Sequence, residues 1–150
     1  MSGGRREHNT SRFGLIGADT RGNITIWNDG AAELVGYRPE DVVGRDVAIL
    51  VPEKYRARHH AGFTAAMDGG PRSADAAPFH LPVVRADESV EVFAVRFVFI
   101  DDPFGRPAGA MIVLDRAHGE VEAFTAVPAI DTVSGGPVTT SAGPSDGGSR

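Results

Sequence analysis

The chain has no cysteine, so it forms no disulfide, no thiolate metal site, no cysteine nucleophile and no cysteine-adduct photocentre. Aromatic residues are sparse at 7%, with one tryptophan. Nowhere do about 18 apolar residues run together, and no apolar stretch follows a basic N-terminus, so neither a membrane span nor a signal peptide is legible. Excess positive charge is also missing. Fifteen Lys and Arg face twenty Asp and Glu, a net charge of −5, which gives no overall attraction to nucleic acid or an anionic membrane. A cytoplasmic protein is the expectation.

What is present suffices for one folded unit. The 150 residues are 41% hydrophobic and 23% charged, unlike a disordered chain. Residues 1–11 are polar and without period, a flexible lead-in. Residues 132–150 draw 14 of their 19 residues from Gly, Pro, Ser and Thr, a composition expected to stay disordered. Between them lie a folded unit at 12–116 and a partly ordered flank at 117–131. In the flank Val121, Phe124 and Val127 fall at roughly helical spacing before Pro128.

Within the unit, Phe13–Gly17 and Asn23–Trp27 read as strands joined by an Asp-Gly-containing turn. The alternation places Ile24 and Ile26 on one face, Thr25 and Trp27 on the other. Asn28 or Asp29 caps a short helix closed by Gly36, and Pro39 opens another that ends at Gly44. Val47–Val51 is a brief apolar segment. Pro52–Asp68 is the longest helix, with Tyr55, His59, Phe63 and Ala66 forming one stripe. Three strands follow, at Phe79–Arg85, Val90–Ile100 and Ala108–Leu114. Pro82 confines the first of these to an edge or a bulge. The order predicts an α+β domain, a five-stranded antiparallel sheet with short helices packed on one face and room for a pocket between them.

This order and its local motifs resemble the PAS family of sensory modules. The resemblance rests on Asp19-Thr20-Arg21-Gly22-Asn23-Ile24, Trp27-Asn28, Ala31-Ala32-Glu33-Leu34-Val35-Gly36-Tyr37, Pro39-Glu40-Asp41-Val42-Val43-Gly44-Arg45 and Val113-Leu114-Asp115-Arg116. It spans essentially the whole folded unit. Within it, Val51-Pro52-Glu53-Lys54-Tyr55-Arg56-Ala57-Arg58-His59 resembles the segment entering the main helix of FixL-type and Dos-type haem PAS sensors. That resemblance implies haem as the cofactor and His59 as its axial, metal-ligating residue. The chain departs from these sensors where they carry a distal Arg or Met, having Phe79 and Ala77 there, and from the usual Lys/Arg-x-Asp-Gly turn, having Arg85-Ala86-Asp87-Glu88.

His59 also stands on its own as a candidate, since it lies on the apolar stripe and a neutral imidazole there suits iron. Phe63, Phe79, Val95 and Met111 are the expected companions in the pocket, and Phe93 and Val113 offer further apolar walls if their faces point inward. The duller reading of His59 is a core-edge histidine satisfied by a carbonyl or water. His60 points about 100° away, toward solvent. His80 is either a second axial ligand or an ordinary strand histidine. Lys54, Arg56 and Arg58 crowd the start of the main helix, where water, an acidic partner or haem propionates would satisfy them.

No calcium loop, nucleophile elbow, phosphate-binding loop or kinase signature occurs, so a non-enzymatic role is expected. The expected function is a sensory module that binds a small ligand or cofactor and signals by protein–protein contact, to another PAS subunit or a signalling protein. In a chain of this length no effector domain is expected beside the sensor, so the signal is expected to pass to another protein, unless the chain is a fragment of a larger one. The alternative is a ligand-free dimerisation module that uses Val92, Ala94 and Val98 with the first strand and the flank. Neither reading calls for nucleic acid or a membrane.

Overall fold

The computed structural model describes residues 12–70 and 78–128. The expected lead-in at 1–11, Ala77 and the tail at 132–150 lie outside the described residues, as do the last three residues of the 117–131 flank. Strands β1 (Gly14–Ala18) and β2 (Ile24–Trp27) form a hairpin, followed by helices α1 (Asp29–Val35) and α2 (Pro39–Val42). Two 3-10 turns, Val47–Leu50 and Glu53–Tyr55, lead into α3 (Arg56–Met67). Strands β3 (Phe79–Val84), β4 (Val90–Asp101) and β5 (Pro107–Arg116) complete one sheet in the order β2-β1-β5-β4-β3, with every pairing antiparallel. The expected α+β architecture is the observed one. β3 lies at an edge, which is why Pro82 is tolerated in it.

Register decides which side chains meet the helices. Val95 pairs with both Phe79 and Leu114, Phe97 with Ile112, and Ile112 with Ile16, so these residues share the inner face. Their neighbours Arg96 and Val98 point outward and are exposed. The face assignment within β2 differs from simple alternation. The β1–β2 register shifts between Gly17 and Ala18, so Ile16 pairs with Trp27 and Ala18 with Ile24. This bulge turns Ile24 and Trp27 together into the core and leaves Ile26 39% exposed. The Trp27 indole N–H then donates to the Tyr37 carbonyl at 2.9 Å.

The core gathers Ile24, Val35, Val42, Phe93 and Leu114 where α1 and α2 lie against the sheet. Asn28 fastens this corner. Its Oδ1 accepts from Ala31 N at 2.8 Å, capping α1, and from Leu15 N at 2.9 Å, while Nδ2 donates to the Phe13 carbonyl at 3.1 Å. Replacing Asn28 by alanine removes a cap and a strand–helix tie together, so Asn28→Ala is expected to destabilise the fold by about 2 kcal/mol in urea unfolding. Asp in its place should restore the cap but not the donation to Phe13.

The described part of the flank, residues 117–128, forms no helix. Instead it returns to the free edge of β3: His80 N donates to Thr125 O and Phe124 N to His80 O, each at 2.7 Å, and Ala126 bridges to Phe79. Pairing with an open strand edge satisfies main-chain groups that water would otherwise take, and it outweighs the weak helical spacing of Val121, Phe124 and Val127. The altered turn after β3 puts Glu88 at φ 73, the left-handed conformation that glycine adopts at least cost.

Candidate functional site

Between α3 and the inner face of the sheet lies a cavity of about 430 Å³. Its helix wall is the stripe read from the sequence, as Tyr55, His59, Phe63 and Ala66 all line it. Ile16, Phe79, Leu81, Phe97, Phe99 and Ile112 build the sheet wall, and Leu50 and Val51 close one side. The sheet wall offers no side-chain hydrogen-bond donor. Phe79 stacks on Phe97 at 5.8 Å, and Phe97 on Phe99 at 6.2 Å, so this wall is a row of rings.

His59 is half-buried, and its ring lies nearly parallel to Phe63 with centroids 6.2 Å apart. Among the described residues nothing hydrogen-bonds to either ring nitrogen, so the carbonyl expected of an ordinary core-edge histidine is absent there. Burial strips water from the charged form and holds the His59 pKa below its ordinary value; the Asp46 carboxylate opposes this and His60 adds to it. The imidazole is therefore neutral at pH 7 and keeps a free lone pair. Because the folded-state pKa lies below the unfolded one, the folded chain binds fewer protons in that window. The stability His59 contributes is present above its unfolded pKa and is lost as pH falls through the folded pKa. Titration of the His59 ring by NMR in the ligand-free chain is expected to show a midpoint below about 6.5; a midpoint at or above that value would contradict the desolvated environment.

Of the other expected site residues, Phe63 and Phe79 line the cavity with His59. Val95 does not. It points to the same side of the sheet but is sealed into the core at 1% exposure, flanked by its register partners Phe79 and Leu114. Phe93, fully buried, is likewise core rather than cavity wall. Met111 borders the cavity, but its pairing with Gly17 and with exposed Val98 places its side chain on the outer face of β5. Val113, opposite Leu15 and exposed Arg96, faces outward as well. His60 is exposed.

His80 is turned away from the cavity and buried on the outer side of β3, under the flank. Its Nδ1 lies 2.9 Å from Thr125 Oγ1, whose own proton goes to the Glu122 carbonyl at 2.7 Å, so Nδ1 is the donor. It is a structural histidine and not a second axial ligand. Among the described residues no three His, Asp or Glu side chains are grouped to hold a metal ion, and no helix is long and apolar enough to cross a membrane.

Two residues flank the cavity mouth, Arg58 from the basic cluster read in the sequence and Phe124, whose place there the sequence did not show. Arg58 lines the mouth with its guanidinium 5.5 Å from both the Tyr55 and Phe124 ring centroids. Phe124, carried back by the flank, meets Tyr55 edge-on at 5.1 Å and sits at φ 66, a conformation rare for a bulky residue. Arg58 was legible as a member of the basic run at the start of the main helix. The position of Phe124 was not, because it depends on the long-range pairing of the flank with β3.

An antiparallel sheet cupping helices around an apolar cavity, with one half-buried histidine on the helix wall, defines an α+β domain with a candidate ligand site. Residues 4–76 match the family model described as PAS fold. A PAS domain of a protein from Colwellia psychrerythraea aligns with a TM-score of 0.61 at 17% identity, over 75% of this chain and 94% of that one. The RpfR quorum-sensing receptor PAS domain of Cronobacter turicensis, solved in complex with BDSF, aligns at 0.54 and 14% identity, over 72% of this chain and 96% of its own. An RNA-binding light-oxygen-voltage receptor aligns at 0.58 and 16% identity, over 75% of this chain and 32% of the receptor. No curated protein matches the chain. The described residues share the fold of these solved PAS domains.

Proposed function

We propose that this PAS domain takes a small apolar ligand or cofactor into the cavity, with haem ligated through His59 as the leading occupant, and passes its bound state on by protein–protein contact. The observation that carries the reading is His59 itself. A half-buried imidazole, kept neutral by desolvation, borders an apolar cavity with neither ring nitrogen hydrogen-bonded among the described residues. Buried polar groups are ordinarily satisfied, so a histidine left open toward a cavity suits a ligand that completes it. The sensory PAS relative from Cronobacter turicensis, solved with BDSF and with C12:0, supports ligand uptake by this fold.

The residues present fit haem in three respects: an available axial nitrogen, flat aromatic walls at Phe63, Phe79 and Phe97, and a basic mouth at Arg58. Bound haem would supply an iron centre that takes a diatomic gas or changes redox state. The chain's own contribution is to orient the His59 ring against Phe63 and to exclude water with the sheet wall. That wall gives no side-chain donor to a polar bound gas, which favours CO, NO or redox state over stably held oxygen as the signal.

Transmission would use the surfaces nearest the cavity mouth and the outer sheet face, where Ile26, Val98 and Ile100 are exposed. The partner is a second PAS subunit or a signalling protein. Titrating haem into the chain purified without it tests the reading: one equivalent should saturate the protein and produce a Soret band. A protein that stays colourless with haem in excess would overturn haem and leave the cavity to another ligand or to the dimerisation reading.

A further inference from the structure

Arg58 differs from the five described arginines that form ion pairs. Arg12, Arg38, Arg85, Arg106 and Arg116 each pair with a carboxylate. No carboxylate or carbonyl among the described residues meets the Arg58 guanidinium, which lies over the Tyr55 and Phe124 rings instead. Its neighbours repeat the pattern. The Lys54 ammonium sits 5.2 Å from the Tyr55 ring, and the Arg56 side chain donates to the Val51 carbonyl at 2.9 Å, neither of them with an acidic partner among the described residues. Three cations without an acidic partner among the described residues therefore cluster at the start of α3, and one of them, Arg58, lines the apolar cavity, on a chain whose net charge is −5.

We infer that the cavity is built for an amphiphile carrying a carboxylate, its apolar body between α3 and the sheet and its carboxylate paired with Arg58 at the mouth. The inference rests on the reading of this cavity as the ligand site and adds the chemical class of the ligand. A guanidinium presents a planar fork that matches a carboxylate with two parallel hydrogen bonds. The rings of Tyr55 and Phe124 hold that fork beside the opening by cation–π contact. A neutral amphiphile of equal length would gain the apolar walls but leave Arg58 unpaired, and a cationic one would be repelled. Haem, with its two propionates, and a fatty acid share this chemistry.

Calorimetric titration of the full chain with four probes separates the cases: dodecanoate, methyl dodecanoate, haem and haem dimethyl ester. Each acid that enters the cavity should bind about tenfold or more tightly than its ester. Arg58→Gln should erase that difference, while Arg38→Gln, outside the cavity lining, should preserve it. A difference confined to the dodecanoate pair supports the inference with a fatty acid as source, and one confined to the haem pair supports it with a porphyrin as source. Equal binding of acid and ester, or an acid preference that survives Arg58→Gln, overturns the inference and leaves the cavity reading standing. Failure of all four probes to bind overturns both.

Discussion

His59→Ala is expected to weaken haem binding by more than about 100-fold and to remove the Soret band at equimolar haem. Outer-shell groups that merely orient a metal ligand are worth about 10–100-fold in affinity, and here the ligating nitrogen itself would be lost. The same substitution should leave the ligand-free fold almost untouched. His59 makes no hydrogen bond among the described residues and is not part of the buried core, and alanine is the better helix former by a few tenths of a kcal/mol. Thermal unfolding of the ligand-free variant should match or slightly exceed that of the parent chain. A clear loss of stability would restore His59 to the role of a structural histidine.

The second large effect is on folding. Gly109, near the start of β5, has φ 150 and lies where a Cβ would run into the Ala18 carbonyl oxygen of the neighbouring strand. The obstacle is backbone in the middle of the sheet, so no side chain can swing aside. Gly109→Val combines a backbone conformation unfavourable to branched residues with steric overlap against β1, and should destabilise the domain by about 3 kcal/mol or more. Urea unfolding would read this as a lower midpoint at unchanged slope. Ala18 and Ala110 both border the cavity, so a folded remnant should also bind ligand poorly. Near-parental stability would show that β1 and β5 can separate here at little cost.

Most of the fold was legible because its signals are local. The α3 stripe of Tyr55, His59, Phe63 and Ala66 follows helical period and lines the cavity as read, and Pro82 announced an edge strand that β3 proves to be. What escaped depends on the third dimension. Strict alternation split Ile24 from Trp27, but a single bulge against β1 reunites them in the core. Val95 was read as cavity wall because its face is right; its depth beneath Phe79 and Leu114 is a matter of register across three strands. The flank's helical spacing was overruled by hydrogen bonds to β3, some 45 residues earlier in the chain at the His80–Thr125 contact. That same return brings Phe124 against Arg58, so the mouth of the cavity is assembled from two segments that no local pattern connects.

The proposed ligand site lies between α3 and the inner face of the sheet. Amide NMR of the nitrogen-labelled chain, recorded with and without one equivalent of haem, tests it most directly, because the iron broadens signals from nuclei close to it. Broadening is expected to concentrate at His59, Phe63, Leu81 and Phe97, with Ile26 and Glu40 little affected. Broadening centred on the outer face, at Val98, Ile100 and Met111, or spread evenly over the surface, would contradict it.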